Sequence, residues 1–173
     1  MRSQRLSYRP LNARDAGRVA VLAGDWDIAR MTSRIPHPYS LIDADLWIAS
    51  IGDDEFVRAV EQDGTLIGAI GYIAADAHQA EIGYWIGKPW WGHGFATEAA
   101  GTLIDYCFSD GGFRRLTCGH FIDNPASARV IAKLGFRRIG DGSQWCEARK
   151  SEVATVRYIR RRPLFSGWRR NAR

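Results

Sequence analysis

Apolar positions near the start of the chain recur three and four residues apart, the spacing of one helix face. Residues 5–11 alternate as a short strand. Asn12 then offers an N-cap for a helix reaching about Ala23, with Ala16, Val19, Ala20 and Ala23 on one side. A second short helix is predicted over residues 26–31. The run Ile35-Pro36-His37-Pro38-Tyr39 must be irregular, because each proline biases its predecessor away from helix. Residues 40–51 read as a third helix with Leu46, Trp47 and Ile51 at helical spacing.

The period changes in the middle of the chain. Phe56, Val57, Ala59 and Val60 mark a strand, Asp63-Gly64 a hairpin turn, and residues 66–74 the returning strand. A further turn at residues 76–79 leads into a strand over 81–86. A glycine-rich loop, 87–94, opens into a strongly amphipathic helix whose apolar stripe is Ala96, Ala100, Leu103, Ile104, Cys107 and Phe108. Residues 116–122 read as a strand and residues 125–134 as a helix carrying Val130, Ile131 and Leu134 inward. Strands near 137–139 and 153–160 close the pattern. This alternation predicts a mixed α/β sheet with helices on both faces.

A chain of 173 residues with this patterning is long enough for one domain with a substantial core. Its 46% hydrophobic and 25% charged residues are those of a globular protein. No apolar run approaches the roughly 20 residues that span a bilayer. The opening residues lack the apolar stretch of a secretory signal, so a cytoplasmic location without membrane attachment is expected. Cys107, Cys118 and Cys146 have no metal-ligand spacing, and free thiols are expected instead of a disulfide frame or a metal site.

The net charge of +5 is unevenly spread. Residues 160–173 hold six arginines and no acid, so removing them leaves residues 1–159 at −1. The domain proper is therefore assigned to 1–160 and a basic tail to 161–173. Such a tail can attract an acidic partner or simply be solvated. Nothing in it resembles a nucleic-acid module, and nucleic acid is not the expected partner. Phe165 and Trp168 interleave with the arginines, which suggests packing of the tail on its own domain or on a second copy.

The chemistry is concentrated at Ile86-Gly87-Lys88-Pro89-Trp90-Trp91-Gly92-His93-Gly94-Phe95-Ala96-Thr97. A strand ends, small residues turn, and a helix begins. That order gathers main-chain N–H groups and the positive end of a helix dipole at one spot. Glycines 92 and 94 let an anion approach without a Cβ in the way, and a diphosphate fits such a nest. A tight turn with no ligand would look the same locally. Neither a Gly-Lys-Ser/Thr ending nor GxGxxG is present. The later helix is punctuated by Asn124 as N-cap, Pro125 at N1, Gly135 beyond the end and Phe136 as hydrophobic contact.

Taken in order, these segments resemble the GNAT superfamily of N-acetyltransferases, and within it the Rim-type branch of ribosomal-protein N-terminal acetyltransferases. The resemblance runs from Leu6-Ser7-Tyr8-Arg9-Pro10-Leu11 and Asp15-Ala16 through Pro36-His37-Pro38-Tyr39. It continues with Ala80-Glu81-Ile82-Gly83-Tyr84-Trp85-Ile86, the glycine loop, Asn124-Pro125-Ala126-Ser127 and Lys133-Leu134-Gly135-Phe136. It implies a mixed, mostly antiparallel sheet of about six to seven strands. It also implies acetyl-CoA as co-substrate, no metal, and an amine acceptor, either a protein N-terminus or a small molecule. In the family's phosphate loop, Gln/Arg-x-x-Gly-x-Gly/Ala, the first place falls on Trp91, the fourth on Gly94 and the sixth on Ala96. Trp91 departs from the superfamily consensus, although Rim-type sequences often carry Trp-Gly-x-Gly. By the same resemblance Trp85 and Ile86 end the strand that pairs with the pantetheine arm, and Asn124 hydrogen-bonds it. Gly92, His93, Gly94, Phe95, Ala96, Thr97 and Lys133 are the expected contacts of the phosphates.

Acetyl transfer needs a neutral amine, and the pKa of about 8 to 10 of such groups calls for a base. The transfer also needs donors for the developing oxyanion and a partner for the leaving thiolate. Many family members use a tyrosine four residues before Gly135. This chain has Ile131 there, so Ser127 is the expected thiolate partner. Glu81, on the face shared with Gly83 and Trp85, and Glu147, between the last two strands, compete as base. Tyr84, Trp85, His120 and Trp145 are read as core. A homodimer through the final strands and a non-catalytic acyl-CoA-binding module are the remaining alternatives.

Overall fold

The computed structural model describes residues 1–53 and 55–163. Most of the basic tail, with Phe165 and Trp168, lies outside the described residues. Strand β1 (Ser7–Arg9) leads to α1 (Ala16–Ala23), α2 (Trp26–Ala29) and α3 (Leu41–Ala49). Strands β2 (Glu55–Gln62), β3 (Thr65–Asp76) and β4 (Gln79–Ile86) follow, then α4 (Phe95–Phe108), β5 (Arg115–Phe121), α5 (Pro125–Lys133), β6 (Arg137–Cys146) and β7 (Ser151–Arg161).

Local chemistry accounts for most boundaries. Asn12 forms a capping box with Asp15 ahead of α1, and Ser40 does the same with Asp43 ahead of α3. At the β2–β3 hairpin, Asp63 and Gly64 take φ of 50° and 76°, the left-handed pair that a two-residue turn of the strands' own twist requires. Arg9 donates to both Asp15 and Glu61, tying β1 to the first turn and to β2.

The seven strands lie in the order β1-β2-β3-β4-β5-β7-β6. Every pair is antiparallel except β4 and β5, which run parallel. Helices cover both faces. Ala16, Val19, Leu22 and Ala23 of α1 pack with Ala44, Ala59 and Leu66 on one side. Leu103, Ile104 and Cys107 of α4 and Ile131 of α5 pack with Val60, Ile70, Ile82 and Leu116 on the other. All three cysteines are free and buried.

Two sequence expectations change. Helix α3 stops at Ala49, and Ile51 lies beyond it; Leu46 is 63% exposed while Ala44 is buried. Its inward side is Ala44 with the half-buried Trp47 and Ile48, which pack into the core shared with α1. Strand β6 runs on to Cys146, well past the expected 137–139. Residues 140–146 carry glycines and polar side chains that read as turn, and pairing with β7 makes them strand.

Leu103 is 1% exposed at the centre of the larger core. Leu103→Ala is expected to lower unfolding free energy by about 2–5 kcal/mol, read from denaturant titration.

Candidate functional site

β4 pairs with β3 from Gln79 through Ile86 but with β5 only at Gln79–Arg115, Ala80–Leu116 and Glu81–Thr117. Beyond that point β5 pairs only with β7, from Cys118–Tyr158 to Phe121–Thr155. The two parallel strands therefore part, and one side of β4 has no strand partner. The N–H of Gly87 donates to the carbonyl of Ile67 at 2.7 Å, continuing the β3 register by one residue. Main-chain groups alternate sides along a strand, so those of Ile82, Tyr84 and Ile86 face the split. The Ala80 carbonyl, with the same parity, accepts from the Thr117 hydroxyl of β5 at 3.4 Å. Within the split the Ile86 carbonyl is taken by the indole N–H of Trp91 at 2.6 Å.

At the open end of the split stands the glycine loop. A 3-10 turn, Lys88–Trp90, is fastened to α2 by the pair of Lys88 with Asp27 at 2.6 Å. Gly92 and Gly94 both adopt φ of 80°, which a side chain resists. A Cβ at Gly92 would meet nothing within 4 Å, so the space in front of the loop is open. Helix α4 begins at Phe95 with no side-chain cap. Its first-turn N–H groups at Phe95, Ala96 and Thr97 are left for an outside acceptor. The Phe95 side chain is buried in the core, so at the anion-facing side it offers its main-chain N–H. His93 is exposed, with Nδ1 2.9 Å from the Trp91 carbonyl and its ring stacked on Phe95.

Neighbouring residues on β4 point to opposite faces of the sheet, and this divides the candidate groups. Trp85 packs on the α1 and α3 side, so Glu81 and Gly83 share that face. Tyr84 points the other way, and its hydroxyl lies 2.9 Å from Ser127 Oγ on α5. The Asn124 side chain accepts from the Ser127 N–H at 3.0 Å, so Asn124 caps α5 and sets the place of that serine. Burial pushes the Tyr84 hydroxyl up to about 12, against the lowering bond from Ser127. Burial, helped by the charge of Glu81, likewise pushes the Cys118 thiol up to about 12. Both groups are therefore neutral near pH 7.

Glu81 is exposed and, among the described residues, makes no ion pair or hydrogen bond. It lines a pocket of about 290 Å³ with Thr117, Gly119, Gln144, Thr155 and Arg157. Glu147 is elsewhere, in the β6–β7 turn at the end of β7 remote from Thr117. It pairs with Lys150 at 2.9 Å, its N–H donates to Ser33, and the Lys150 ammonium holds its carboxyl below the usual range. Lys133 is exposed in the last turn of α5. The structure thus brings Tyr84, Ser127 and Asn124 together beside the split, sets Glu81 across the sheet, and leaves Glu147 apart.

The four aromatic side chains read as core divide. Trp85 is packed. His120 has both ring nitrogens engaged, Nε2 with Tyr158 at 3.1 Å and Nδ1 with the Phe121 carbonyl at 2.8 Å. Tyr84 belongs to the Ser127 pair. Trp145 is 44% exposed on β6, the edge strand of the sheet. The Tyr84–Ser127 contact joins residues 43 apart and has no local signature.

An open β edge leading to uncapped helix amides suits an extended amide-bearing chain that ends in a diphosphate, the shape of coenzyme A. The chain belongs to the acetyltransferase (GNAT) domain family, whose model matches residues 5–137. It is 42% identical over 77 residues to the N-acetyltransferase YoaA of Bacillus subtilis, a match covering 43% of this chain and 44% of that protein. It is 34% identical over 73 residues to the ribosomal-protein-serine acetyltransferase of Escherichia coli, covering 41% of each. The chain thus spans under half the length of these two curated relatives. Its fold matches Mycobacterium smegmatis RimJ in complex with CoA-disulfide, with a TM-score of 0.81 at 20% identity, over 90% of this chain and 81% of that one.

Unfolded tyrosine ionises near 10 while Tyr84 in the fold does so at about 12. Between these values only the folded form keeps its proton, so stability falls as pH rises through that window. Tyr84→Phe is expected to flatten this fall, measured as unfolding free energy at pH 9 to 12. Parallel curves for the two proteins would count against the assignment.

Proposed function

We propose that the protein takes the acetyl group of acetyl-CoA and transfers it to an amine, either a protein N-terminus or a small molecule. The observation that carries this reading is the parting of β4 from β5 in line with the glycine loop and the uncapped start of α4. When bound, the coenzyme supplies an acetyl thioester open to attack by a neutral amine. The N–H groups of residues 92–97 hold its diphosphate, with the exposed Lys133 adding positive charge and the exposed His93 ring offering a further hydrogen-bonding group. The free main-chain groups of Ile82 and Tyr84, with the N–H of Ile86, take the pantetheine amides as an added strand would. The Asn124 amide NH₂, whose N–H groups are not used in capping, donates to the same arm.

Glu81 accepts the proton of the incoming ammonium on the α1 and α3 side. Ser127 donates to the thiolate from the α5 side. Tyr84 donates the hydrogen bond to Ser127 Oγ and keeps its proton, which leaves the serine hydroxyl hydrogen free to turn to sulfur. Glu81 is preferred as base because, among the described residues, it is unpaired at the point where β4 and β5 part, whereas Glu147 is tied to Lys150. A protein N-terminus is favoured as acceptor by the likeness to a ribosomal-protein-serine acetyltransferase.

Thiol release from acetyl-CoA with a panel of peptides and amines tests the reading. Gly94→Trp is expected to abolish coenzyme binding in calorimetry, because φ at this position is 80° and the new side chain would occupy the anion nest. Normal turnover in that variant would sink the loop assignment. Glu81→Gln is expected to lower kcat by about a hundredfold, the ordinary worth of a general base, and by more than Glu147→Gln does. The reverse order would move the base to the β6–β7 turn. Tight binding without release for any amine would leave a coenzyme-binding module instead.

A further inference from the structure

The glycine loop is held from outside by a segment far away in sequence. Arg5 Nη1 donates to the His93 carbonyl at 3.0 Å across 88 residues of chain. The same guanidinium donates from Nε to Glu98 Oε2 at 2.8 Å, and the Arg5 main-chain N–H reaches Glu98 Oε1 at 2.8 Å. Glu98 lies in the first turn of α4 and also accepts from the Ser3 hydroxyl at 2.7 Å. Burial works to raise its carboxyl, but the donors from Ser3 and Arg5 outweigh it and hold the group below the usual range. The guanidinium lies over the Phe95 ring at 4.6 Å.

We propose that Arg5 is a positioning residue for coenzyme binding, aligning the loop that grips the diphosphate and adding positive charge beside that loop. The inference rests on the reading of residues 92–97 as the diphosphate site. A trans peptide is planar, with its carbonyl and N–H pointing opposite ways. Fixing the His93 carbonyl therefore fixes the direction of the Gly94 N–H. Because Arg5 is anchored on α4 through Glu98, the loop and the helix start are held in one frame. The remaining guanidinium nitrogen, Nη2, makes no hydrogen bond among the described residues and lies 3.7 Å from where a Gly94 Cβ would be. It keeps N–H groups and charge beside the loop. The polar side chain that the superfamily places in the loop itself is Trp91 here, and its indole N–H is spent on Ile86. Arg5 supplies a cationic side chain at the loop from elsewhere in the fold.

Acetyl-pantetheine carries the thioester and both amides but no diphosphate, which separates this role from general support of the fold. The quantity read is the ratio of kcat/KM for acetyl-CoA to that for acetyl-pantetheine. Arg5→Ala is expected to lower the ratio about tenfold, roughly the worth of one charge-assisted hydrogen bond. Arg5→Lys keeps the charge but cannot reach Glu98 and His93 together, so its ratio falls by a smaller factor. If Arg5→Ala does not fold, Arg5→Lys and Glu98→Gln carry the test, both with a lowered ratio. A ratio unchanged in folded variants, with both donors slowed alike, would overturn the proposal and mark a purely structural arginine. A wild-type protein with no preference for acetyl-CoA would overturn the diphosphate site itself, and this inference with it.

Discussion

β4 leaves β5 after Glu81, and a strand that loses its partner inside a folded protein leaves amides and carbonyls to be satisfied some other way. The β3 ladder holds β4 straight through Ile86, so the strand cannot curl back to β5. One exposed carbonyl, that of Ile86, is closed by Trp91; the other main-chain groups stay available. An internal sheet edge of this kind selects its ligand by shape and by amide spacing. The same constraint places the loop, because the chain leaving β4 must turn at the open end of the split before α4 begins.

The alternation of side chains along β4 separates two jobs that would interfere if they shared one pocket. Glu81 faces the α1 and α3 side, where in the proposed reaction the amine sheds its proton. Tyr84 faces α5, where burial keeps its hydroxyl protonated and Ser127 shares its hydrogen bond. In the proposed reaction the acetyl carbon lies in the plane between them. A carboxylate and a neutral hydroxyl pair separated by the thickness of the sheet keep distinct environments without a long-range electrostatic device.

The loop is assembled from three directions. Glycines 92 and 94 provide the left-handed turns, α4 provides uncapped N–H groups, and the N-terminal segment braces both through Arg5 and Glu98. Lys88 adds a fourth tie to Asp27 of α2, whose carboxyl it holds below the usual range together with Arg30. A loop shaped by glycines has little side-chain chemistry of its own to fix it. Its geometry depends on these outside contacts.

What the sequence by itself determined is what acts over a few residues. The stripe on α4, the capping boxes at Asn12 and Ser40, the Asp63-Gly64 turn and the cap at Asn124 all work within one or two turns of chain. The glycine loop was legible for the same reason, since Gly92 and Gly94 permit its left-handed turns locally, although contacts from outside the loop hold it in place. Tertiary structure alone decided the rest. Residues 140–146 became strand because β7 offered a ladder, not through any periodicity of their own. Leu46 and Trp145 are exposed because, among the described residues, the packing leaves their side of α3 and of β6 uncovered. The meetings of Tyr84 with Ser127 and of Arg5 with His93 span 43 and 88 residues. No local pattern encodes such a contact; it exists only once the sheet has closed and its helices have packed.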